Sequence, residues 1–324
     1  MKIFNNLADI KEPFAESYVT IGNFDGVHLG HHMLFSEVVG MAYKKKGTSV
    51  VITFEPHPLR VIRPDIGIKL ISTYEQKVEM ITLAGIDVLV VIPFTRDFAA
   101  TSAEDFVDNV LIRTIGVKEL VVGYDYAFGK GRQGNIDYLK KQGSLKGFPV
   151  TVVEPYYVDD MLVSSSKIRE LVSEGRMMAV KKLLGRSYQI RGTVQEGKKR
   201  GGPVVGFKTA NLHLSEEDLW PKHGVYVTKV VHNVKCYGGV LIIGYNPTFG
   251  ENRLAAETHI FDFNQDIYGK KIKINLLKYL REEKKFSGPG ELADQIRSDI
   301  RLAKEVLAEV QKELLLSCEE KYNR

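Results

Sequence analysis

Two histidines three residues apart stand in the run Thr20-Ile21-Gly22-Asn23-Phe24-Asp25-Gly26-Val27-His28-Leu29-Gly30-His31, directly after an apolar segment. On a helix this spacing sets His28 and His31 on one face, about a turn apart. Gly22, Gly26 and Gly30 let ligand oxygens approach the backbone. A helix beginning here adds unpaired N–H donors and a partial positive charge, so the whole stretch suits a phosphate chain. Read alone, the same His-x-Gly-His string equally describes a tight turn carrying two partly exposed histidines. A second set, Ser164, Ser165 and Arg169, offers hydroxyls and a planar guanidinium fork to the far end of such a chain. The serines serve equally well as a helix N-cap.

The elements that must position these groups follow from the hydrophobic pattern. From Ser17 to about Pro155, short apolar runs alternate with longer amphipathic ones, which calls for a parallel sheet covered by helices. Strands are predicted at Tyr18 to Phe24, Ser49 to Phe54, Val88 to Pro93, Glu119 to Gly123 and Val150 to Val153. Helices are predicted at Thr73 to Ala84 and Ala103 to Ile115, the latter with Phe106, Val107, Val110 and Leu111 at helical spacing. Ligands of such sheets bind beyond the carboxyl ends of the strands, and the histidine turn follows the first strand. Ser166 to Leu184 reads as one helix closing a first domain, with the boundary at Gly185-Arg186. Beyond it, Tyr188 to Val194, Gly224 to Val231, Tyr237 to Ile243, Glu257 to Phe263 and Lys271 to Leu277 are short and rich in β-branched and aromatic residues. Such strands without long helices between them predict an antiparallel barrel. Glu291 to Leu316 returns to helical spacing, with Leu292, Ile296, Ile300, Val306 and Val310 available to pack on that barrel. The expected organisation is therefore a Rossmann-like α/β domain over 1–184 and a β-barrel domain with a C-terminal helix over 185–324.

At 324 residues two domains of ordinary size are the natural expectation, and 44% hydrophobic residues fit a globular chain. Met1 to Glu16 is too mixed for a signal peptide, and runs such as Val88 to Pro93 are too short to span a bilayer, so a cytoplasmic protein without membrane attachment is expected. Cys236 and Cys318 are too far apart in sequence for a Cys-x-x-Cys motif. The net charge of +5 is modest. Its most basic local run, Lys198-Lys199-Arg200, lies among glycines rather than aromatic residues, which argues against a nucleic-acid partner.

Two glycine-rich strings imitate other nucleotide sites. Gly129-Lys130-Gly131-Arg132-Gln133-Gly134 satisfies Gly-x-Gly-x-x-Gly, with Glu154 near the spacing of a ribose-binding acid, but the strand before it is not the domain's first. Gly201 to Thr209 nearly reproduces a Walker loop, yet Phe207 separates the glycine from the lysine, and Ala210-Asn211-Leu212-His213-Leu214 is too strand-like to supply the required helix.

The histidine run resembles the His-x-Gly-His signature of adenylyl-transferring α/β nucleotidyltransferases, and the longer string is similar to the opening of bacterial bifunctional riboflavin kinase/FAD synthetases. Further matches follow in that family's order: Thr53-Phe54-Glu55-Pro56-His57-Pro58, Gly123-Tyr124-Asp125-Tyr126-Ala127-Phe128-Gly129, Gly134-Asn135 and Ser164-Ser165-Ser166-Lys167-Ile168-Arg169. In the second half Thr209-Ala210-Asn211, Gly224-Val225-Tyr226, Asn246-Pro247-Thr248 and Glu257-Thr258-His259-Ile260-Phe261-Asp262-Phe263 look like the kinase module. The resemblance covers nearly the whole chain. It implies that riboflavin is phosphorylated to FMN and FMN adenylylated to FAD, with ATP as co-substrate and Mg²⁺ in both steps.

Residue by residue, the resemblance implies catalytic roles for His28, His31, Arg169 and, as the kinase's general base, Glu257. It implies ATP contacts at Gly22, Phe24, Gly26, His28, Gly30, His31, Ser164, Ser165, Arg169, Gly206, Thr209 and Asn211. Flavin contacts are implied at Asn23, Asp25, His57, Gly123, Asp125, Phe128 and Asn135, and in the kinase half at Gly224 and Tyr226. Thr209 and Asn211 alternate along an extended segment, so their oxygens can face one Mg²⁺–ATP complex together. The chain departs from the pattern at Ser166, where Thr is usual, and at Lys208, where Pro precedes Thr-Ala-Asn. The new ammonium either tightens ATP binding or misplaces Thr209, which leaves open an alternative in which only the adenylyltransferase works. Two further alternatives are a non-catalytic flavin- or nucleotide-binding module and a tRNA-ligase-like protein. The second of these lacks a Lys-Met-Ser-Lys-Ser string and a basic, aromatic-rich appended domain.

Overall fold

The computed structural model describes residues 1–195, 209–213, 215–245 and 254–322. Gly206 and Lys208, and the string Asn246-Pro247-Thr248, lie outside the described residues. The chain divides into two compact units, Met1–Lys167 and Ile168–Arg324.

In the first unit the strands are β1 (Lys2–Phe4), β2 (Ser17–Ile21), β3 (Thr48–Glu55), β4 (Val88–Pro93), β5 (Val117–Gly123) and β6 (Val150–Val153). They form a six-stranded sheet in the order β1-β4-β3-β2-β5-β6, and every pairing is parallel. A parallel sheet is covered on both faces, so its strands read as near-continuous apolar runs. Accordingly Val19, Ile21, Val50, Ile52, Val90 and Leu120 belong to one core, while Tyr18, Val51, Leu89, Val91 and Val121 belong to the other. The covering helices are α1 (Leu29–Lys45), α2 (Pro58–Ile62), α3 (Tyr74–Leu83), α4 (Arg96–Ala99), α5 (Ala103–Asp105), which runs on into a wider π-helical stretch over Phe106–Ile115, and α6 (Ile136–Lys146). A small hairpin of β7 (Tyr157–Val158) and β8 (Met161–Leu162) precedes α7 (Ser165–Ser173). From β2 the chain proceeds to β3 on one side and later to β5 on the other, so the order of strands reverses at β2/β5. Loops leaving two such strands diverge and open a crevice at their carboxyl ends.

In the second unit α8 (Met177–Leu184) is followed by β9 (Tyr188–Gln195), β10 (Ala210–His213), β11 (Gly224–His232), β12 (Lys235–Tyr245), β13 (Leu254–Ile260), β14 (Lys271–Arg281) and α9 (Pro289–Tyr322). The strands close an antiparallel barrel in the order β10-β13-β12-β11-β14-β9. α9 lays Ala303, Ile300, Val306 and Leu307 against Val225, Val227, Val240 and Leu277.

Three expectations change. The helix predicted over 166–184 is two helices, because Gly175 turns at φ +77 where a Cβ would meet Lys222 and Tyr279 at 3.3 Å. The strand predicted at Glu257 to Phe263 ends at Ile260, because Asp262 turns at φ +53 and the Phe261 N–H is drawn to the Gly238 carbonyl at 2.8 Å. β1 was not expected: its polar flanks hide a strand that pairs only with β4, at the sheet edge.

Candidate active sites

β2 ends at Ile21, and the chain then turns through Phe24 (φ +49), Gly26 (φ +83) and Val27 (φ +38) before α1 begins. His28 is not inside that helix but caps it. Its Nδ1 accepts the His31 N–H at 3.3 Å, and His31 Nδ1 accepts the His28 N–H at 3.3 Å. The pair thus forms a reciprocal capping box from two imidazoles, a job usually given to Ser or Thr with Glu or Gln. The rings stack with centroids 3.5 Å apart and an interplanar angle of 17°, and the edge of Phe24 closes on His31 at 5.1 Å. An acceptor Nδ1 on a neutral ring puts the hydrogen on Nε2. Each neutral ring therefore keeps an N–H donor at Nε2, and His28 does so while buried. Gly30 is part of the arrangement, since a Cβ there would lie 3.2 Å from His28 Nδ1.

Asp25, expected against flavin, is buried, with both carboxylate oxygens engaged by backbone. The Ile71 N–H is shared by Oδ1 at 3.0 Å and Oδ2 at 3.2 Å, and the Ser72 N–H reaches Oδ1 at 3.2 Å. The Gly26 N–H donates to Ser72 Oγ at 3.1 Å, and Ser165 Oγ donates to the Asp25 carbonyl at 2.9 Å. Asp25 is thus a junction where the histidine turn, the 71–72 segment and the start of α7 meet. Ser164 Oγ accepts the Lys167 N–H at 3.2 Å, so Ser164 is the α7 N-cap, and Arg169 is half-buried on that helix. Asn23 is exposed, and its carbonyl accepts Thr53 Oγ1 at 3.2 Å. Gly22 continues the sheet by donating to the Ile52 carbonyl at 3.1 Å. His57 is buried and caps α2, its Nδ1 accepting the Leu59 N–H at 3.2 Å.

The segment after β5 occupies the other side of the switch point. Gly123 ends the strand and Asp125 is exposed. Phe128 and Gly134 exchange both backbone hydrogen bonds, at 2.9 and 3.0 Å, which pins Gly129 to Gln133 into a tight loop rather than a dinucleotide-binding turn. Phe128 is buried among Tyr126, Phe106 and Tyr138, and Asn135 caps α6 by accepting the Tyr138 N–H at 2.8 Å. The Tyr126 hydroxyl is enclosed with no hydrogen-bond partner among the described residues, and burial pushes its pKa well up.

In the barrel, Asn211 on β10 lies directly opposite Glu257 on β13. Directly opposed residues share a face of the sheet with neighbouring Cβ atoms. Both are half-buried, whereas Ala256 and Thr258, on the opposite face, are fully buried. Thr209, exposed, precedes Asn211 by two residues and so belongs to the same side of the extended chain. The oxygens of Thr209 and Asn211 fit a hard divalent cation. Tyr226 is fully buried and donates its hydroxyl to the Lys222 carbonyl, which makes it a packing residue of β11 here. Gly224 begins β11 at φ +140, where a Cβ would meet the Arg281 carbonyl at 2.4 Å.

The sequence reading passed over Lys77. It lies on α3 one helical turn before the core residue Ile81, and both are buried. Its Nζ reaches Glu55 Oε2 at 3.7 Å. Burial lowers the Lys77 pKa, against the opposing pull of Glu55 and Asp25. A charged residue at an apolar-face position was the available signal.

Comparison with known proteins agrees with both halves. The FAD synthetase family model matches residues 10–167 and the riboflavin kinase model residues 184–307. A bifunctional riboflavin kinase/FMN adenylyltransferase of Bacillus subtilis is 40% identical over 294 residues, covering 90% of this chain and 92% of that protein. One from Buchnera aphidicola is 38% identical over 304 residues, covering 93% and 96%. A crystal structure from Streptococcus pneumoniae, described as a macrolide-efflux protein, superposes with TM-score 0.84 at 31% identity, covering 93% of this chain and 98% of that one. Among the described residues no helix is long and apolar enough to cross a membrane. The kinase match spans Lys208, so the alternative of an adenylyltransferase alone is not favoured. The chain belongs to the bifunctional riboflavin kinase/FMN adenylyltransferase family.

Proposed function

We propose that residues 185–324 phosphorylate riboflavin to FMN and residues 1–184 adenylylate FMN to FAD, with ATP consumed in each step and Mg²⁺ accompanying it. The observation that carries the reading is the stacked imidazole pair at the start of α1, beside the reversal of strand order. In adenylyl transfer a phosphate oxygen of FMN forms a bond to the α-phosphorus of ATP, and the bond from that phosphorus to pyrophosphate breaks. No proton need move at the attacking oxygen, so the chain's task is to position the phosphates and stabilise their charge. The Nε2–H groups of His28 and His31, and the first N–H groups of α1, are donors of that kind. Ser164, Ser165 and Arg169 are assigned the β/γ end, and Gly22, Phe24, Gly26 and Gly30 shape the nucleotide loop. Asn23, His57, Gly123, Asp125, Phe128 and Asn135 are assigned to the flavin side, with Asp25 acting through the loops it joins.

Phosphorylating a primary hydroxyl differs, because the alcohol must lose a proton as it attacks. Glu257 accepts it, a contribution of about a hundredfold or more. Thr209 and Asn211 supply oxygens for Mg²⁺, which neutralises phosphate charge when bound. Gly206 is assigned to the ATP loop, and Gly224 and Tyr226 to the shape of the flavin side. An ATP-dependent chain with an exposed free thiol at Cys236 also fits a reducing cytoplasm.

The test is chromatography of products from riboflavin, ATP and Mg²⁺. The parent chain is expected to form FMN and then FAD. Glu257→Gln is expected to lose FMN formation by about a hundredfold or more while still converting supplied FMN to FAD. His28→Ala/His31→Ala is expected to stop at FMN. Unchanged FMN output in the first variant refutes the base, and unchanged FAD output in the second refutes the imidazole grip.

A further inference from the structure

A buried cation, Lys77, is paired with Glu55, which ends β3 and leads into the Pro56-His57 motif segment. The Lys77 side chain is only 4% exposed, and its Nζ lies 3.7 Å from Glu55 Oε2 at the end of β3. Asp25, in the turn that ends at His28, acts on the same ammonium electrostatically. Its own carboxylate is fixed by the Ile71 and Ser72 N–H groups just before the Thr73 cap of α3. A buried ammonium paired with a carboxylate at the end of β3 is costly to desolvate, and it persists where the geometry of its partner is well defined. Nothing in phosphate gripping or flavin contact uses it.

We propose that Lys77 is a positioning residue of the adenylyl-transfer site: through Glu55 and Asp25 it fixes the His28–His31 turn and the His57 loop relative to each other, without touching substrate. The inference rests on assigning FMN adenylylation to this unit. Misplacing donors by a fraction of an ångström weakens transition-state stabilisation more than substrate binding. The expected signature of losing Lys77 is therefore a fall in kcat, with the KM values for FMN and ATP little changed.

The experiment uses the full chain, supplied FMN with Mg²⁺–ATP for adenylylation, and riboflavin phosphorylation by the same polypeptide as the internal reference. Lys77→Met is expected to lower the adenylylation kcat about tenfold or more. Riboflavin phosphorylation should stay within about twofold of the parent, as for a site built from the other unit. Lys77→Arg, which keeps the charge, is expected to recover part of the loss. A folded Lys77→Met with parental kcat overturns the proposal, as does a loss confined to melting temperature. Should Lys77→Met fail to fold, Glu55→Gln decides, because the Glu55 side chain is 36% exposed and tolerates neutralisation. A reduced kcat in Glu55→Gln supports the proposal, and a parental kcat overturns it. A parent chain that makes no FAD from FMN instead removes the assignment on which the inference stands, which keeps the two failures distinct.

Discussion

Gly30 answers to two opposing demands. In the first turn of α1 and without a positive φ, it would be better replaced by alanine, which gains about 0.4–1 kcal/mol by restricting the unfolded chain. As the neighbour of His28 it is crowded, because a Cβ would stand 3.2 Å from Nδ1 and 3.3 Å from Cε1 of that ring, which would have to give by a few tenths of an ångström. Gly30→Ala is therefore expected to keep or raise the melting temperature while lowering kcat/KM for FAD formation about tenfold, by tilting the capping imidazole. Calorimetry and steady-state kinetics on the same sample check both halves. Tyr126 gives a complementary case. Its hydroxyl is enclosed without a partner among the described residues, and removing an unsatisfied buried polar group costs nothing in lost bonding. Tyr126→Phe is expected to stabilise the first unit by about 1 kcal/mol, read from urea unfolding.

Among the elements, α9 is held to the barrel by a buried ion pair as well as by apolar contact. Arg281 at the end of β14 directs Nε and Nη2 to the Asp299 carboxylate at 2.9 and 2.6 Å, and Gln295 Nε2 adds a bond to Oδ1 at 2.9 Å. The two side chains are 18% and 4% exposed. Asp299→Ala strands the guanidinium, and a loss of about 3 kcal/mol is expected in urea unfolding of the barrel. This contact was illegible in the sequence, where no local pattern links Arg281 to Asp299; the packing of α9 on the barrel brings them together. The strand Val88–Pro93 was legible to the residue, because a doubly covered parallel strand carries an unbroken apolar run, whereas the edge strand Val150–Val153, broken by Thr151 and only half-buried, was legible from its β-branched residues. The helix over 166–184 was misread because apolar spacing continues on both sides of Gly175, so periodicity alone does not register the turn. Of the candidate sites, the histidine spacing and the Thr209/Asn211 alternation were readable. The opposition of Asn211 and Glu257 follows from barrel register, which no local pattern encodes.

At the scale of the molecule, each unit has its own apolar core. Domains of that kind can melt separately. Asp299→Ala is accordingly expected to shift the temperature at which riboflavin phosphorylation is lost, while conversion of supplied FMN to FAD survives to the parental temperature. Assaying both reactions across one heating series measures this. A common shift of both activities would show that the units unfold as one. The reciprocal cap of His28 and His31 carries a consequence for handling any such preparation. Imidazoles are the usual prey of nickel, copper and zinc, which seek a ring lone pair. Here both Nδ1 lone pairs already accept main-chain hydrogens, which on a neutral ring leaves the hydrogen on Nε2. The turn is thus a poor chelator despite its two adjacent histidines, so traces of transition metal left from affinity resin should leave FAD formation untouched.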